Sequence, residues 1–364
     1  MRIRVAQFNI GHLTGPCTKN QPRKHYIREV FQTSQGGFFS DLARKMVNKI
    51  SSSLQMSSRH ARAEGKNIRK LMRRNLPKNP YFLLKGIVQF IKQEKIDVLS
   101  LNEVDRVWPG FDQLEFIQEY TQLKHAAFTT SYSLSIAGIP LFNNGNAILS
   151  RYPLKNIQVA YIDVPGLFHK TFGWGRRALK AEVDFGAFSY PFVSTHLEDS
   201  HIPLKEIQAR KLRKFLEMEV GDCILMGDLN TMLKAKNKFT YGDRDYYTGT
   251  PLRILESLID MSAHPQWFTQ MFVEDGQPFR FGTYPVIIEQ RRQSFQLAYP
   301  PDRFLDYILS LKTRQFSSVS EGRKRYSITV RSKEILTHVY FSDHFPVVAE
   351  LEWKEVSSSK ANTA

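Results

Sequence analysis

Short apolar runs recur along the chain, and several of them stop at a polar or charged residue. The segment 2–10 alternates apolar and polar positions, which predicts a first strand that ends at Asn9. The run 223–226 is wholly apolar and predicts a buried strand, after which Gly227 lets the backbone turn so that Asp228 and Asn230 emerge. Similar patterns predict strands in five further segments: 96–101, 145–153, 173–183, 188–194 and 304–310.

Apolar residues spaced three and four positions apart predict helices in three segments: 81–95, 111–120 and 203–219. Two more patterns of this kind, at 38–50 and 68–76, carry Lys and Arg between the apolar positions and predict basic amphipathic helices. Their apolar faces could pack on the main domain, with the charges in solvent, or could dock on a membrane surface. The pattern alone leaves both interpretations open.

Positive charge is concentrated in one segment. Residues 12–80 contain fifteen Lys or Arg against three Asp or Glu, so this segment carries +12 of the net charge of +16. The basicity is therefore local, which predicts contact with an anionic partner such as nucleic acid or an anionic lipid surface through residues 19–78.

Length and composition predict one globular domain. At 364 residues, with 42% hydrophobic residues, the chain is long for one domain, yet large α/β folds reach this size as a unit. We expect a single catalytic domain at 1–353, with a basic helical insertion at 12–80 and a disordered tail at 354–364. No transmembrane run, signal peptide or disulfide framework is evident, so a cytoplasmic monomer is expected, with peripheral membrane attachment as the alternative.

The polar residues at the predicted strand ends form a chemically coherent set. It comprises Asn9, Glu103, His196, Asp228, Asn230, Asp306, Asp343 and His344. Oxygen ligands for Mg²⁺, a carboxylate to orient water, and histidines to stabilise or protonate a phosphate suit phosphoester hydrolysis. Singly, each residue is also typical of a turn or a structural site. No Cys/His cluster has zinc spacing, and no nucleotide-binding glycine loop occurs.

Nine motifs give the chain a family resemblance. In order they are QFNIG, LNEVD, GNAILSRYPL, GRRAL, STHL, MGDLNT, FGTYP, LDYILS and SDHFPV. This series resembles the endonuclease/exonuclease/phosphatase superfamily, which includes pancreatic deoxyribonuclease, abasic-site endonucleases, neutral sphingomyelinases and inositol-phosphate 5-phosphatases. The resemblance covers residues 1–11 and roughly 80–353, and it leaves the basic insertion unmatched.

The resemblance implies an α/β fold, a four-layer sandwich of two packed, mostly antiparallel sheets flanked by helices. It implies that Mg²⁺ or Mn²⁺ is bound by Glu103 with Asn9 and Asp343 nearby. The remaining roles that it implies are a water-orienting Asp228, a phosphate-holding Asn230, a transition-state-stabilising His344 paired with Asp306, a general-acid candidate His196 and a phosphate-contacting Arg177.

Departures from the family patterns narrow the range of candidate substrates. The residues after Glu103 and the Thr195-His196 pair differ from the abasic-site enzymes, and the longer histidine signature of the inositol phosphatases is not found. A nuclease is favoured, since no apolar run is long enough to anchor the chain unaided. A phospholipid or sphingomyelin phosphodiesterase, a phosphoinositide phosphatase at a membrane, a hydrolase of small phosphodiesters, and an inactive binding module remain as alternatives.

Overall fold

The computed structural model describes residues 1–11, 17–18, 80–107, 111–136, 139–164, 175–199, 201–231, 250–264, 283, 287–291, 294–299, 305–313, 325–336, 339, 342 and 344–356. The basic helical patterns at 38–50 and 68–76, the predicted metal ligand Asp343 and the tail from 357 onward lie outside the described residues. The division into one domain with an insertion therefore stays a prediction.

Strands dominate the described part of the chain. In order they are β1 (Arg2–Asn9), β2 (Cys17–Thr18), β3 (Val98–Val107), β4 (Phe111–Asp112), β5 (His125–Ile136), β6 (Ile139–Ser150), β7 (Leu154–Tyr161), β8 (Arg177–Asp184), β9 (Ser189–His196), β10 (Cys223–Asp228), β11 (Ile287–Arg291), β12 (Ser294–Tyr299), β13 (Asp306–Leu311), β14 (Arg325–Ile335) and β15 (Val347–Val356). The α-helices are α1 (Pro80–Gln93), α2 (Gln113–Tyr120), α3 (Ile202–Phe215) and α4 (Thr250–Glu256).

Two sheets face each other. The first has the order β14-β15-β1-β3-β6-β5, with β4 paired to β3, and the second has the order β13-β10-β9-β8-β7. Within these two sheets, β1 with β3 and β9 with β10 pair in parallel, while the other pairs are antiparallel. A small third sheet has the order β12-β11-β2. Two mostly antiparallel sheets were predicted, and this prediction is confirmed.

Three apolar layers produce the sandwich. Ile3 and Val5 of β1 lie in the core between the sheets, whereas Phe8 of the same strand lies in a core shared with α1 and α2. A third core joins the outer face of the second sheet to α3 and α4, with Leu212 of α3 and Leu225 of β10 among its members. Both faces of each central strand are therefore buried, as the short apolar runs indicate. The result is the expected four-layer arrangement.

Helix termini follow the local sequence. Asp112 caps α2, because its Oδ1 accepts hydrogen bonds from the backbone N–H groups of Leu114 (2.9 Å) and Glu115 (3.2 Å). The helix expected at 203–219 ends as α3 at Phe215, and the chain continues in a π-helical turn, Leu216–Val220, up to Gly221. Among the described residues, no helix is both long and apolar enough to cross a membrane.

Gly227 has a different function from the one predicted. The strand does not turn at this residue but continues to Asp228, and the φ of Gly227 is not positive. A Cβ atom at Gly227 would lie 2.1 Å from the backbone oxygen of Thr195, its register partner on β9. The sequence therefore needs glycine here because β9 and β10 approach closely, and the expected turn was wrong.

Gly227→Ala is expected to lower the free energy of unfolding by roughly 1–3 kcal/mol, as overpacking a tight site does. The cost arises because the clashing atom belongs to the backbone and cannot rotate away. Urea unfolding followed by circular dichroism measures it. An unchanged urea midpoint would show that β9 and β10 can move apart without a loss of stability.

Lys333 of β14 is a buried lysine in the described part of the chain. Its side chain donates a hydrogen bond to the backbone oxygen of Ile308 at 3.1 Å. Burial lowers the pKa of Lys333 from 10.5 to about 7. The unfolded chain therefore keeps this proton at pH values where the folded chain has lost it, so the free energy of unfolding should rise between about pH 7 and pH 10.

Lys333→Met is expected to raise the free energy of unfolding at pH 7 and to flatten that rise. Denaturant titrations at half-unit pH steps provide the measurement. Lys85→Met, at an exposed position of α1, is the matched control and should leave the pH dependence as it is in the wild type. If the free energy of unfolding still rises with pH in Lys333→Met, another titrating group causes that rise.

Candidate active site

The ends of several strands meet at one edge of the two facing sheets. In the first sheet, parallel β1 and β3 bring Asn9 level with Asn102. In the second, parallel β9 and β10 bring His196 level with Asp228, and antiparallel β13 places Asp306 opposite Asp228. Because the sheets face each other, polar side chains from both converge at this edge.

Asp228 lies at the centre of the cluster and is 1% exposed. Its Oδ2 accepts a hydrogen bond from Asn9 Nδ2 at 2.9 Å. The Nε2 atoms of His196 and His344 lie 3.6 Å and 3.7 Å from the same oxygen. Asp228 Oδ1 accepts a hydrogen bond from the backbone N–H of Asn230 at 2.9 Å. One carboxylate thus contacts or faces groups contributed by both sheets.

Burial and the neighbouring Asp306 carboxylate raise the pKa of Asp228 to about 7, although His344 and the two hydrogen bonds oppose this shift. A carboxylate with this pKa is more basic than an ordinary Asp. It is therefore better suited to accept a proton from water near neutral pH.

His344 is held by Asp306. The Nδ1 atom of His344 lies 2.8 Å from Asp306 Oδ2, and both side chains are buried. Because a carboxylate accepts, Nδ1 carries the proton, and Nε2 is left facing Asp228. The pairing of His344 with Asp306 that the resemblance implied is thus present in the geometry.

Glu103 occupies a strained position. Its φ is +58°, in the left-handed region, at the point where the β3–β6 register shifts between Leu101 and Val104. This bulge directs the side chain out of the regular strand pattern. Glu103 Oε1 lies 3.4 Å from Asn9 Nδ2, and the residue is 9% exposed. Non-glycine residues adopt this conformation at a cost, which is typical of functional sites.

The donor set fits a hard divalent cation. Glu103 offers a carboxylate, and Asn9 offers an amide oxygen that also accepts the backbone N–H of Gly11 at 3.0 Å. A second group, Asp228, Asp306 and His344, has ligand atoms within 4.8 Å of one another. The hydrogen bond between His344 and Asp306 already accounts for that closeness. We therefore favour Glu103 as the principal ligand.

Asn230 and His196 form the remaining side of the site. Asn230 has a φ of +47°, and its Nδ2 donates to the backbone oxygen of Leu197 at 3.0 Å. The same Nδ2 lies 3.1 Å from His196 Nε2. On the other side of the ring, Arg176 Nη1 lies 2.9 Å from His196 Nδ1. Burial, followed by Arg176, holds the pKa of His196 well below its usual value, so the imidazole is neutral.

Comparison with known proteins identifies the family. Residues 66–344 match the model of the Endonuclease/Exonuclease/phosphatase family, which is more than half of the chain. The chain belongs to this family. Its members are phosphoester hydrolases that generally depend on a divalent metal ion, and the chain is accordingly an enzyme of this class. Among curated protein sequences, none is significantly similar to the chain.

Several solved structures are similar to the chain at low sequence identity. An endonuclease/exonuclease/phosphatase from Bacteroides vulgatus is 14% identical over 97% of this chain and 100% of its own, with a TM-score of 0.51. A family protein from Beutenbergia cavernae is 18% identical over 96% of this chain and 71% of its own, with a TM-score of 0.49. D. rerio TDP2, complexed with single-strand DNA product, is 11% identical over 96% of this chain and 99% of its own, with a TM-score of 0.48.

Most of the family residues expected from the sequence lie together. Asn9, Asp228, Asn230, His196, His344 and Asp306 form one contact network, and Glu103 borders it at Asn9. Arg177 begins β8, and its backbone oxygen accepts a hydrogen bond from Asn146 Nδ2 at 3.0 Å. Its expected phosphate contact stays a prediction.

The sequence interpretation missed Arg176, although this residue stands beside Arg177 in the same motif. Arg176 is 8% exposed and contacts His196 directly. Strand alternation cannot choose between the two arginines, because Arg176 precedes the first residue of β8. The presence of two arginines at a strand entrance was the only available signal.

Asn102 was also missed, and it joins the two sheets beneath the site. Its Oδ1 accepts hydrogen bonds from the backbone N–H of Asp228 (2.9 Å) and from Gln7 Nε2 (2.7 Å). Its Nδ2 donates to Asn146 Oδ1 (2.9 Å) and to the Thr195 backbone oxygen (3.1 Å). Asn102 precedes Glu103 in the LNEVD motif, so adjacency to a candidate ligand was its signal.

Lys205 of α3 supports the loop that carries Asn230. The residue is fully buried, and its Nζ donates to the backbone oxygens of Asn230 (2.6 Å) and Asp199 (3.1 Å). Because Lys205 binds the backbone oxygen of Asn230, it stabilises the left-handed backbone conformation of that residue. This contact could not be read from the sequence, because Lys205 lies on a helix twenty-five residues earlier.

Proposed function

We propose that the enzyme hydrolyses phosphodiester bonds with a bound Mg²⁺ or Mn²⁺ ion, and that nucleic acid is its substrate. The observation that carries the proposal is the convergence on Asp228 Oδ2 of Asn9 from one sheet and of two histidine Nε2 atoms. A buried carboxylate of raised basicity, flanked by imidazoles and next to oxygen ligands, is suited to activating water beside a phosphate.

Each residue takes a separate part in this proposal. Glu103, with Asn9 and Asp343, would hold the ion, which when bound supplies positive charge that polarises the phosphoryl group. Asp228 orients the attacking water and accepts its proton. Asn230 donates a hydrogen bond to a phosphoryl oxygen through Nδ2.

His344 contributes at the phosphoryl oxygens. Since Asp306 fixes the proton on Nδ1, Nε2 is the ring atom available to the reacting group, and a proton held there can neutralise developing negative charge. Removal of the Asp306 acceptor would free the ring to rotate. Arg177 is proposed to contact a phosphate from the mouth of β8, since guanidinium groups match phosphate geometry.

The substrate assignment rests on the basic segment 19–78. Its fifteen cations, against three acids in 12–80, could neutralise several phosphates of a nucleic acid. A phospholipid, sphingomyelin or phosphoinositide substrate at an anionic membrane is the second candidate, because the amphipathic patterns at 38–50 and 68–76 could also lie on lipid.

A substrate panel tests this proposal. The purified protein would be given plasmid DNA, RNA, and liposomes containing sphingomyelin or phosphoinositide, each with Mg²⁺, with Mn²⁺ and with EDTA. We expect metal-dependent cleavage of nucleic acid, with a rate that falls steeply as salt rises. Turnover on liposomes alone would select the lipid candidate. No turnover of any phosphoester, including bis-p-nitrophenyl phosphate, would favour an inactive binding module.

Glu103→Gln is expected to raise the Mg²⁺ concentration for half-maximal rate by roughly ten- to a hundredfold, because the amide has no charge with which to hold the ion. Initial rates over a metal titration provide the measurement. Glu94→Gln, just after α1 and paired with Arg4 outside the site, is the control. A metal dependence equal to that of the wild type would remove Glu103 from the ligand set.

A further inference from the structure

The two histidines beside Asp228 are held at Nδ1 by chemically opposite partners. His344 Nδ1 faces the Asp306 carboxylate at 2.8 Å, which can only accept a hydrogen bond when ionised. His196 Nδ1 faces the Arg176 guanidinium at 2.9 Å, which can only donate. A neutral imidazole carries one N–H and one lone pair, so a neutral His196 presents Nε2–H to the site, whereas His344 carries hydrogen on Nε2 only when it is protonated to the imidazolium.

We propose that Arg176 is a positioning residue that fixes His196 as the Nε2–H tautomer, so that His196 acts on a phosphoryl oxygen as a neutral hydrogen-bond donor. The inference rests on the proposed function for the identity of the acceptor. The tautomer itself follows from the Arg176 contact alone.

One contact opposes this assignment. Asn230 Nδ2 lies 3.1 Å from His196 Nε2, and an amide N–H would favour a lone pair on that nitrogen. Both ring nitrogens cannot accept at once in the neutral ring. A charge-assisted hydrogen bond is roughly twice as strong as a neutral one, so the guanidinium determines the tautomer.

The outcome is a pair of neighbouring donors, with the Asp228 carboxylate oxygen Oδ2 3.6 Å from His196 Nε2, beyond hydrogen-bonding distance. Asn230 Nδ2–H, fixed by the Leu197 backbone oxygen, and His196 Nε2–H then lie side by side. Two neighbouring donors repel weakly in the resting enzyme and bind an anionic oxygen placed between them. A phosphoryl oxygen of the substrate has this chemistry.

Arg176 is held at its backbone and contacted at its guanidinium. Its backbone N–H donates to Asp163 Oδ2 at 3.0 Å, and Asp163 Oδ1 accepts from Gln208 of α3 at 3.1 Å. The guanidinium carbon lies 5.7 Å from the centre of the Tyr132 ring on β5. Asp163 and α3 therefore hold the backbone of Arg176, and Tyr132 of the first sheet contacts the guanidinium that orients His196.

The general-acid role that the resemblance gives to His196 is incompatible with this contact. A histidine that donates a proton during turnover must first be an imidazolium, which carries hydrogen on both ring nitrogens. Protonation of Nδ1 would place two donors 2.9 Å apart at Arg176. The Arg176 contact and the general-acid role thus exclude each other, and experiment can separate them.

The first experiment is spectroscopic and needs no substrate. Full-length protein with ¹⁵N-labelled histidine is studied by long-range ¹H–¹⁵N correlation, and the His196 signals are assigned by their loss in His196→Gln. We expect the Nε2–H pattern in the wild type and a shift towards Nδ1–H in Arg176→Met. Hydrogen on Nδ1 of His196 in the wild type would overturn the inference, whether or not the enzyme turns over.

The second experiment uses kinetics on bis-p-nitrophenyl phosphate. His196→Gln can donate from about the position of Nε2 and should retain most of kcat/KM, whereas His196→Ala should lose roughly 10²-fold, as removal of one such donor does. Introduced alone, Arg176→Met should lower kcat/KM about as much as His196→Ala does. Introduced together with His196→Gln, it should lower kcat/KM little further, because glutamine has no tautomer for Arg176 to fix.

Equal losses from Arg176→Met in both backgrounds, or a His196→Gln as impaired as His196→Ala, would overturn the inference. Arg210→Met, at an exposed position of α3 paired with Glu206, is the matched control for loss of an arginine. Should Arg176→Met not fold, Arg176→Lys keeps a donor and should keep the Nε2–H pattern. If the wild type hydrolyses nothing, the proposed function fails while the spectrum still decides the tautomer.

Discussion

Asp228→Asn should lower kcat/KM by roughly 10²- to 10⁴-fold, the usual contribution of a general base. The amide cannot accept the proton of the attacking water. It would also place an N–H donor where Asn9 Nδ2 donates at 2.9 Å and where two imidazole Nε2 atoms lie within 3.7 Å. Initial rates on bis-p-nitrophenyl phosphate with saturating Mg²⁺ measure the loss.

The fold should survive this substitution. Because burial and Asp306 raise the pKa of Asp228 to about 7, the ionised carboxylate is unfavourable in the folded state, and the neutral amide should unfold no more readily at pH 8. Asp222→Asn, beside the opposite end of β10, is the matched control and should keep full activity. An Asp228→Asn variant that turns over like the wild type would refute the role of this carboxylate.

His344→Gln should also lose roughly 10²- to 10⁴-fold in kcat/KM, because the amide cannot hold a proton for the phosphoryl oxygen. Asp306→Asn should lose less, since it disturbs only the orientation of the ring, whose Nδ1 lies 2.8 Å from the carboxylate. The double variant should be about as impaired as His344→Gln alone, because the two side chains act as one unit.

The exposed His125 of β5 provides the control, and His125→Gln should leave the rate unchanged. Effects of His344→Gln and Asp306→Asn that simply multiply in the double variant would contradict the pairing. An unimpaired His344→Gln would remove the histidine from the reaction.

The sequence predicted the central strands well because their patterns are strong. Strands β1 and β10, buried on both faces, and the residues at their ends, Asn9 and Asp228, lie where the apolar runs place them. Eight of the described strands were not predicted, namely β2, β4, β5, β7, β11, β12, β14 and β15. β7 is largely exposed at the edge of the second sheet, and β5 is rich in Ser and Thr, so neither has a clear apolar stripe.

The site was predicted less completely than the strands. Motifs indicate candidate ligands and reacting side chains, such as Glu103 and His344, because their residue types suit the proposed chemistry. They do not identify supporting residues such as Arg176, Asn102 and Lys205, whose functions depend on contacts between distant elements. The basic insertion and Asp343 lie outside the described residues, so their predicted roles remain predictions.

The pairing of β1 with β15 has a consequence for protein synthesis. These strands come from opposite ends of the described chain, with Arg2 opposite Glu352, and His344 lies just before β15. A nascent chain that has emerged only as far as β13 already carries Asp228 and Asp306, but it lacks His344 and β15, one of the two strands that pair with β1. On the proposed mechanism, a nascent chain would therefore become active only after His344 and the strand that follows it have been made and that strand has paired with β1.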